Sequence, residues 1–236
     1  GKTHENIKTV RPLKDGVIAD FNASEQMINA AAIVGTLRAL IRTYTALSQT
    51  NQPPAIPKSE NRVDSRTVLK VFPYDLTDKL GPLGIVGITG ELWIEPNKDG
   101  EQVYAPKGNV SLVLGAGNQS FLAFGDVMHE MFIKGNICIL KHHPVRSFSA
   151  PFYEKIFADL IEAGFFMSVE GDLEISQWLC HHEMIEAVHM TGGTATHDAI
   201  VWGTGAEQAE NKKNNTPVLH KPMTSELGCI TPWIIS

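Results

Sequence analysis

Cysteine is scarce in this 236-residue chain, with only Cys138, Cys180 and Cys229. Their number is odd and no pair has C-x-x-C spacing, which excludes a disulfide-stapled secreted module and predicts a reducing, cytoplasmic setting. An excess of basic residues is also missing. Lys plus Arg total 20 against 26 Asp plus Glu, a formal net charge of −6, so no nucleic-acid partner is expected. Long apolar runs are absent. The longest, such as Ile137-Cys138-Ile139-Leu140, have strand length and fall short of the ~18 residues of a membrane span. There is no signal-peptide pattern and no initiator Met. The chain opens Gly1-Lys-Thr-His4 and stops inside the apolar run Thr231-Pro-Trp-Ile-Ile-Ser236, which suggests a piece of something longer. The histidine pairs His142-His143 and His181-His182 lack H-E-x-x-H or Cys/His ligand spacing, so no metal is expected. No repeat or low-complexity tract is present. What remains is 43% hydrophobic and 19% charged, the balance of a globular protein of one large domain or two small ones.

Three zones follow from pattern. The first, to about residue 49, contains an extended stretch, Val10–Asp20, and then a long helix. Asn22 and Glu25 fit a capping box at its start. Leu37, Leu40, Ile41 and Tyr44 fall at i, i+3, i+4, i+7, one helical face. Asn51-Gln-Pro-Pro-Ala-Ile-Pro57 ends the helix, because proline lacks the donor N–H. The second zone, about 58–108, is strand-rich, with Thr67–Phe72 and Glu91–Ile94 as its strands. The third, 109–236, alternates. Strands are predicted at 110–114, 137–141, 165–169 and 187–190, and helices at 122–134, 151–163, 173–181 and 194–202. Glu207 to Thr216 is polar and is expected to be a loop. The alternation predicts an α/β fold with a doubly wound parallel sheet, Rossmann-like, preceded by the long helix and the small strand-rich region.

Four constellations could carry chemistry. Val113-Leu-Gly115-Ala-Gly117-Asn118 lies between a strand and a helix. It is either a tight turn or a site where free N–H groups meet an anion or oxyanion. Only two glycines of the G-x-G-x-x-G fingerprint are present. Lys141 ends the next strand, where a nucleotide-binding unit commonly places an acid on the ribose. A lysine there could bond the ribose hydroxyls and would tolerate a 2′-phosphate; the plain alternative is a snorkelling lysine. His189-Met-Thr191-Gly192-Gly193-Thr194 is a second glycine turn between strand and helix. Glu226, in Thr224-Ser-Glu-Leu-Gly228-Cys229, is either a desolvated general base or a turn carboxylate in water. Cys138 and Cys180 read as packing residues. Cys229 is near candidate chemistry but has no neighbouring base in sequence.

Together these segments resemble the aldehyde dehydrogenase family, over about residues 32–236. Leu114-Gly-Ala-Gly-Asn118 is similar to the family's asparagine turn, although glycines and alanine replace the usual aromatic and proline. Phe132–Pro144 is similar to the strand ending in the ribose-binding lysine, with His142 and His143 in place of Pro and Ser. Met190-Thr-Gly-Gly-Thr194 is similar to the glycine turn by the cofactor pyrophosphate, with Gly193 where Ser is usual. Glu226-Leu-Gly228 is similar to the glutamate turn. The resemblance implies NAD or NADP as cofactor and a small-molecule aldehyde as substrate. It implies Asn118 and Glu226 as catalytic residues, and Lys141, Gly192, Gly193 and Gly228 as cofactor-binding ones. It also places the family's nucleophilic cysteine beyond Ser236, so the chain is expected to be an incomplete cofactor-binding portion. A homo-oligomer is a further expectation.

Residues 1–27 resemble a different family, an internal stretch of the bacterial actin-like rod-shape proteins of MreB type. The expected organisation is therefore an actin-like segment over 1–30 leading into the helix, a helix-plus-strand lead-in over 31–108, and a cofactor-binding domain over 109–236. Two alternatives stand beside it. One is a cytoskeletal ATP-binding filament former, and the other is a nonfunctional fusion fragment.

Overall fold

A computed structural model describes residues 18–58, 66–96, 98, 106 and 108–228. Cys229, the terminal run 231–236 and most of the actin-like opening segment lie outside the described residues. Contacts divide the chain into two compact units, residues 34–104 on one hand and residues 1–33 with 105–236 on the other.

The helix α1 spans Ile18–Thr50. Its start differs from the expected capping box, since Ile18 to Asp20 are already helical and Asn22 lies inside. No glycine or proline lies between Gly16 and Asn22, so nothing local forces a later start. The expected apolar face is only partly covered. Leu40 and Tyr44 are half-buried, while Ile41 is 65% exposed. In the 34–104 unit, β1 (Val68–Phe72) pairs antiparallel with β2 (Gly90–Trp93), Val68 facing Trp93 and Lys70 facing Glu91. Two short helices, α2 (Leu76–Leu80) and α3 (Pro82–Ile85), connect them. Arg42 of α1 lies over the Tyr74 ring, 3.9 Å from its centre, and its guanidinium is 3.2 Å from Asp75.

The other unit is built on a five-stranded parallel sheet. Its strands are β3 (Val110–Leu114), β4 (Ile137–Lys141), β5 (Phe166–Val169), β6 (Ala187–Gly192) and β7 (Met223–Leu227), in the order β5-β4-β3-β6-β7. Ser111 to Leu114 are all buried, as an inner parallel strand requires. Alternate residues point to opposite faces. Leu112, Leu114, Val188 and Met190 pack with Leu179 and Cys180 of α7 (Leu173–His181), and with Ile200 and Val201 of α8 (Thr194–Trp202). On the opposite face Ser111 bonds Glu130 at 2.8 Å. Glu130 follows α4 (Leu122–Met128) on a π-helical turn, His129–Ile133. The single predicted helix at 122–134 is thus α followed by π.

Two further expectations are corrected. The predicted helix over 151–163 is a 3₁₀ turn at Pro144–Ser149, then α5 (Ala150–Ile156) and α6 (Ala158–Glu162). Phe157 breaks it, its buried ring stacked among Phe124, Tyr153 and Phe166. The expected loop over Glu207–Thr216 is mostly α9 (Gly205–Asn214). Its polarity hides a strong helix. Ala206, Glu207, Gln208, Ala209, Lys212 and Lys213 all favour the conformation. Glu207 near the start and the lysines near the end suit the dipole, and Asn215 closes it in the left-handed conformation at φ 53°. Gln208 and Asn211 donate to the carbonyls of Gly203 and Trp202, tying α9 to the end of α8.

Candidate functional site

Strand order reverses direction between β3 and β6. The chain steps outward from β3 to β4 to β5, then returns to β6 on the other side of β3. In open sheets a ligand crevice forms there, beyond the carboxyl ends of the strands. A cavity of about 1130 Å³ lies at this place. Asn118, Lys141, Gly192, Gly193, Glu226 and Gly228 all line it, so residues more than a hundred positions apart are gathered at one site.

The loop after β3 is held from outside itself. Arg146, buried in the turn after β4, donates from Nε to the Gly117 carbonyl at 3.1 Å and from a terminal nitrogen to the Asn118 carbonyl at 2.7 Å. Its other terminal nitrogen bonds Ser120 Oγ at 2.8 Å. Asn118 Oδ1 accepts from the Gln119 N–H at 3.0 Å, which leaves the Nδ2 amide as a donor. The His143 ring packs against Gly117, where an added Cβ would lie 2.8 Å from it. Sequence reasoning missed Arg146. It contacts a loop 26 to 29 residues away, and no local pattern signals such a contact.

Lys141 ends β4 and is 4% exposed. Its ammonium makes no hydrogen bond or ion pair among the described residues, and burial pulls its pKa below the usual lysine value, opposed by the Asp172 charge. Asp172 is itself the cap of α7, accepting from the Ile175 N–H at 3.1 Å. A nearly buried ammonium without a partner, lining a cavity, is suited to an oxygen-rich ligand. The neighbouring histidines divide. His142 is buried, 2.9 Å from Ser168 Oγ and edge-on to Tyr153, and burial pushes its pKa down to about 4. It is a core residue. Both residues line the cavity, but His143 is exposed, and its Nδ1 accepts from the Val145 N–H at 3.2 Å.

Across the cavity, Gly193 caps α8 with no side-chain hydrogen bond, so the first N–H groups of that helix stay open to an anion. A Cβ on Gly193 would meet nothing within 4 Å, which leaves backbone approach unhindered. Gly228 has φ 70°, a conformation that favours glycine, and donates to the Gly192 carbonyl at 3.1 Å.

Glu226 takes the water-exposed one of its two settings, on a strand rather than in a turn. It sits in strand β7 opposite Thr191, and it is exposed rather than enclosed by Leu227 and Gly228. The polar alternation Met223-Thr-Ser-Glu-Leu227 is that of a sheet edge, which resembles a turn in sequence. The edge is tied in through His189, whose Nδ1 lies 2.8 Å from Thr224 Oγ1 and whose Nε2 lies 3.3 Å from Asp126 of α4. Thr191 Oγ1 also donates to Asp126, at 3.0 Å.

The cavity-lining thiol is Cys180, which is buried with its pKa pushed up to about 11 by that burial. It is therefore protonated near neutrality and a packing residue. Among the described residues no group of three His, Cys, Asp or Glu could hold a metal ion, and no helix is long and apolar enough to cross a membrane.

Two family models match the chain. That of the aldehyde dehydrogenase family covers residues 85–236, and that of MreB/Mbl protein covers residues 1–134. The cell shape-determining protein Mbl of Bacillus cereus is 28% identical over 143 residues, which is 57% of this chain and 37% of that protein. Mbl of Bacillus subtilis is 27% identical over the same extent. Among solved structures, an aldehyde dehydrogenase of Mycobacterium tuberculosis complexed with NAD+ is 17% identical at a TM-score of 0.47. The match covers 86% of this chain and 31% of that one. A glyceraldehyde-3-phosphate dehydrogenase of Bacillus halodurans complexed with NADP is 16% identical at a TM-score of 0.45, covering 89% and 33%. The chain thus spans little more than a third of the length of its curated relatives. The chain belongs to the aldehyde dehydrogenase family through residues 85–236 and to the MreB/Mbl family through residues 1–134.

Proposed function

We propose that residues 109–236 are the nicotinamide-cofactor-binding portion of an oxidoreductase acting on an aldehyde, with residues 31–108 as its lead-in and 1–30 as an actin-like segment. The observation that carries this is one cavity lined by both a nearly buried Lys141, whose ammonium bonds none of the described residues, and the uncapped start of α8 at Gly193. NAD or NADP suits the pair. Lys141 would bond the ribose of the cofactor, and the N–H groups after Gly192 and Gly193 would take the pyrophosphate. Gly228 would keep the backbone of the β7 end close to Gly192.

When bound, the cofactor supplies the hydride acceptor. The chain's own residues supply position and electrostatics. Asn118 Nδ2, on a loop fixed by Arg146, would donate to a developing oxyanion. Glu226, on an exposed strand edge reachable by water, would act as general base. Cys138 and Cys180 are buried free thiols, in keeping with a reducing cytoplasm.

Calorimetry of the chain with NAD+ and NADP+ tests this reading. Saturable binding of at least one is expected, and no binding by a sample with folded α/β circular dichroism would overturn it. The Mbl likeness supports a second reading, a filament-forming actin-like protein. Sedimentation with ATP separates the two, since ATP-dependent pelleting would favour the second.

A further inference from the structure

We propose that α9 is a lid on the cavity, hinged at Gly203–Gly205 and latched by an ion pair between Lys212 and Asp198, and that its position sets how fast a bound ligand leaves. The lid rests on the cofactor-binding reading above in one respect: the ligand it retains is the dinucleotide.

The first argument is how little holds α9. Helices α7, α8 and α9 all contribute to the cavity wall. Buried Leu179 and Cys180 anchor α7, and Ile200 and Val201 anchor α8 against the same core. In α9 the apolar side chains are Ala206 and Ala209, and no residue is buried. With no apolar surface withdrawn from water, the main force that fixes a helix is missing. What remains is polar. Gln208 and Asn211, its two half-buried residues, donate to the carbonyls of Gly203 and Trp202 at 2.7 and 3.0 Å. Lys212 Nζ donates to the Asp198 carboxylate of α8 at 2.5 Å. Water can replace each of these bonds at small net cost, so α9 opens locally while the sheet stays intact.

The second argument is the shape of the segment. The Val218 N–H donates to the Val201 carbonyl at 2.8 Å, and Leu219 behind it is buried. The chain therefore leaves the body after Val201 and returns to the same point, as in an Ω-loop with a fixed base. Gly203 at φ 83° and Gly205 at φ 65° bracket Thr204 on the way out, in the conformation that favours glycine. A Cβ on Gly205 would meet nothing within 4 Å, so no neighbour blocks rotation there. Positions at the ends of elements are where the backbone change of a closing motion is absorbed.

The third argument is what the segment carries. Gly203, Thr204 and Glu207 line the cavity. Swinging α9 outward removes that part of the wall and widens the exit. Lys212 and Asp198 do not line the cavity, so the latch can be altered without touching the ligand.

Hydrogen exchange of the whole chain, followed by mass spectrometry, tests the motion. Amides of 206–214 are expected to exchange at least about tenfold faster than those of α7 and α8, faster still in high salt, which screens the latch, and more slowly when NADP+ or NAD+ is bound. Stopped-flow release of the bound cofactor tests the consequence. Lys212→Met and Asp198→Asn should each speed release by about two- to fivefold, the range of an exposed ion pair. The reversed pair, Asp198→Lys with Lys212→Asp, should restore a rate near that of the native chain, which a merely weakened fold would not do. Exchange in α9 as slow as in α8 overturns the lid. So does a release rate unchanged by both single variants, or one that the reversed pair fails to restore. In those cases binding itself persists and the cofactor-binding reading stands. Binding of neither cofactor by a folded sample overturns both.

Discussion

The two strand-bearing units obey different rules. In the five-stranded sheet, Leu112, Val113, Leu140 and Val188 are completely or almost completely buried, and helices cover both faces. In the 34–104 unit, β1 buries Val68 and Leu69, but its partner β2 leaves Leu92 50% exposed and Trp93 nearly as open. A two-stranded ribbon has one partner per strand and little to cover it, and alone it is marginally stable. The sheet can hold in place a buried cation that pairs with none of the described residues, because its frame is over-determined. The ribbon has no such surplus.

Substitutions can break or sharpen this contrast. Leu112→Ala should destabilise the sheet by about 4 kcal/mol, because a buried leucine leaves a cavity that the neighbours fill only partly. Leu92→Ala should change stability by no more than about 0.5 kcal/mol. Urea unfolding followed by circular dichroism measures both, and similar losses would erase the contrast.

Glu130→Ala comes next, at about 3 kcal/mol. Glu130 is buried, and it accepts from Lys134 at 2.6 Å, Ser111 at 2.8 Å and Asn136 at 3.0 Å. Burial pushes its pKa up, and these three donors outweigh that and hold it below the usual carboxylate value. Removal strands two buried donors, so the loss is expected even though no apolar surface is uncovered.

The smallest effect depends on pH. Burial lowers the His142 pKa from 6.5 to about 4. The fold therefore holds the neutral ring. Its contribution is complete above the unfolded value near 6.5 and is lost as pH falls towards 4, because the unfolded chain takes up a proton that the folded chain refuses. The slope approaches ~1.4 kcal/mol per pH unit. Stability measured at pH 7, 6 and 5 should fall more steeply for the native chain than for His142→Phe. Parallel profiles would show that His142 is not held neutral.

The legible parts of the fold were those governed by local pattern. The strands 110–114 and 137–141 and the helices 173–181 and 194–202 match their sequence reading residue for residue, since buried strands and amphipathic helices write their period into the chain. The glycine turns and Lys141 were legible for the same reason, each standing at a strand end. What was illegible depends on distant contacts or on polarity. Arg146 acts on a loop far away in sequence. Glu226 sits on an edge strand whose half-polar pattern resembles a turn, and α9 buries none of its residues.

The central claim is that the sheet ends, and not the ribbon unit, hold a nicotinamide cofactor. Amide NMR of the labelled chain, titrated with NADP+, tests it most directly. The account predicts saturable shifts at Gly117, Asn118, Lys141, Gly192, Gly193 and Gly228, with residues 66–96 unmoved. Shifts confined to 66–96, or none at any concentration in a folded sample, would contradict it.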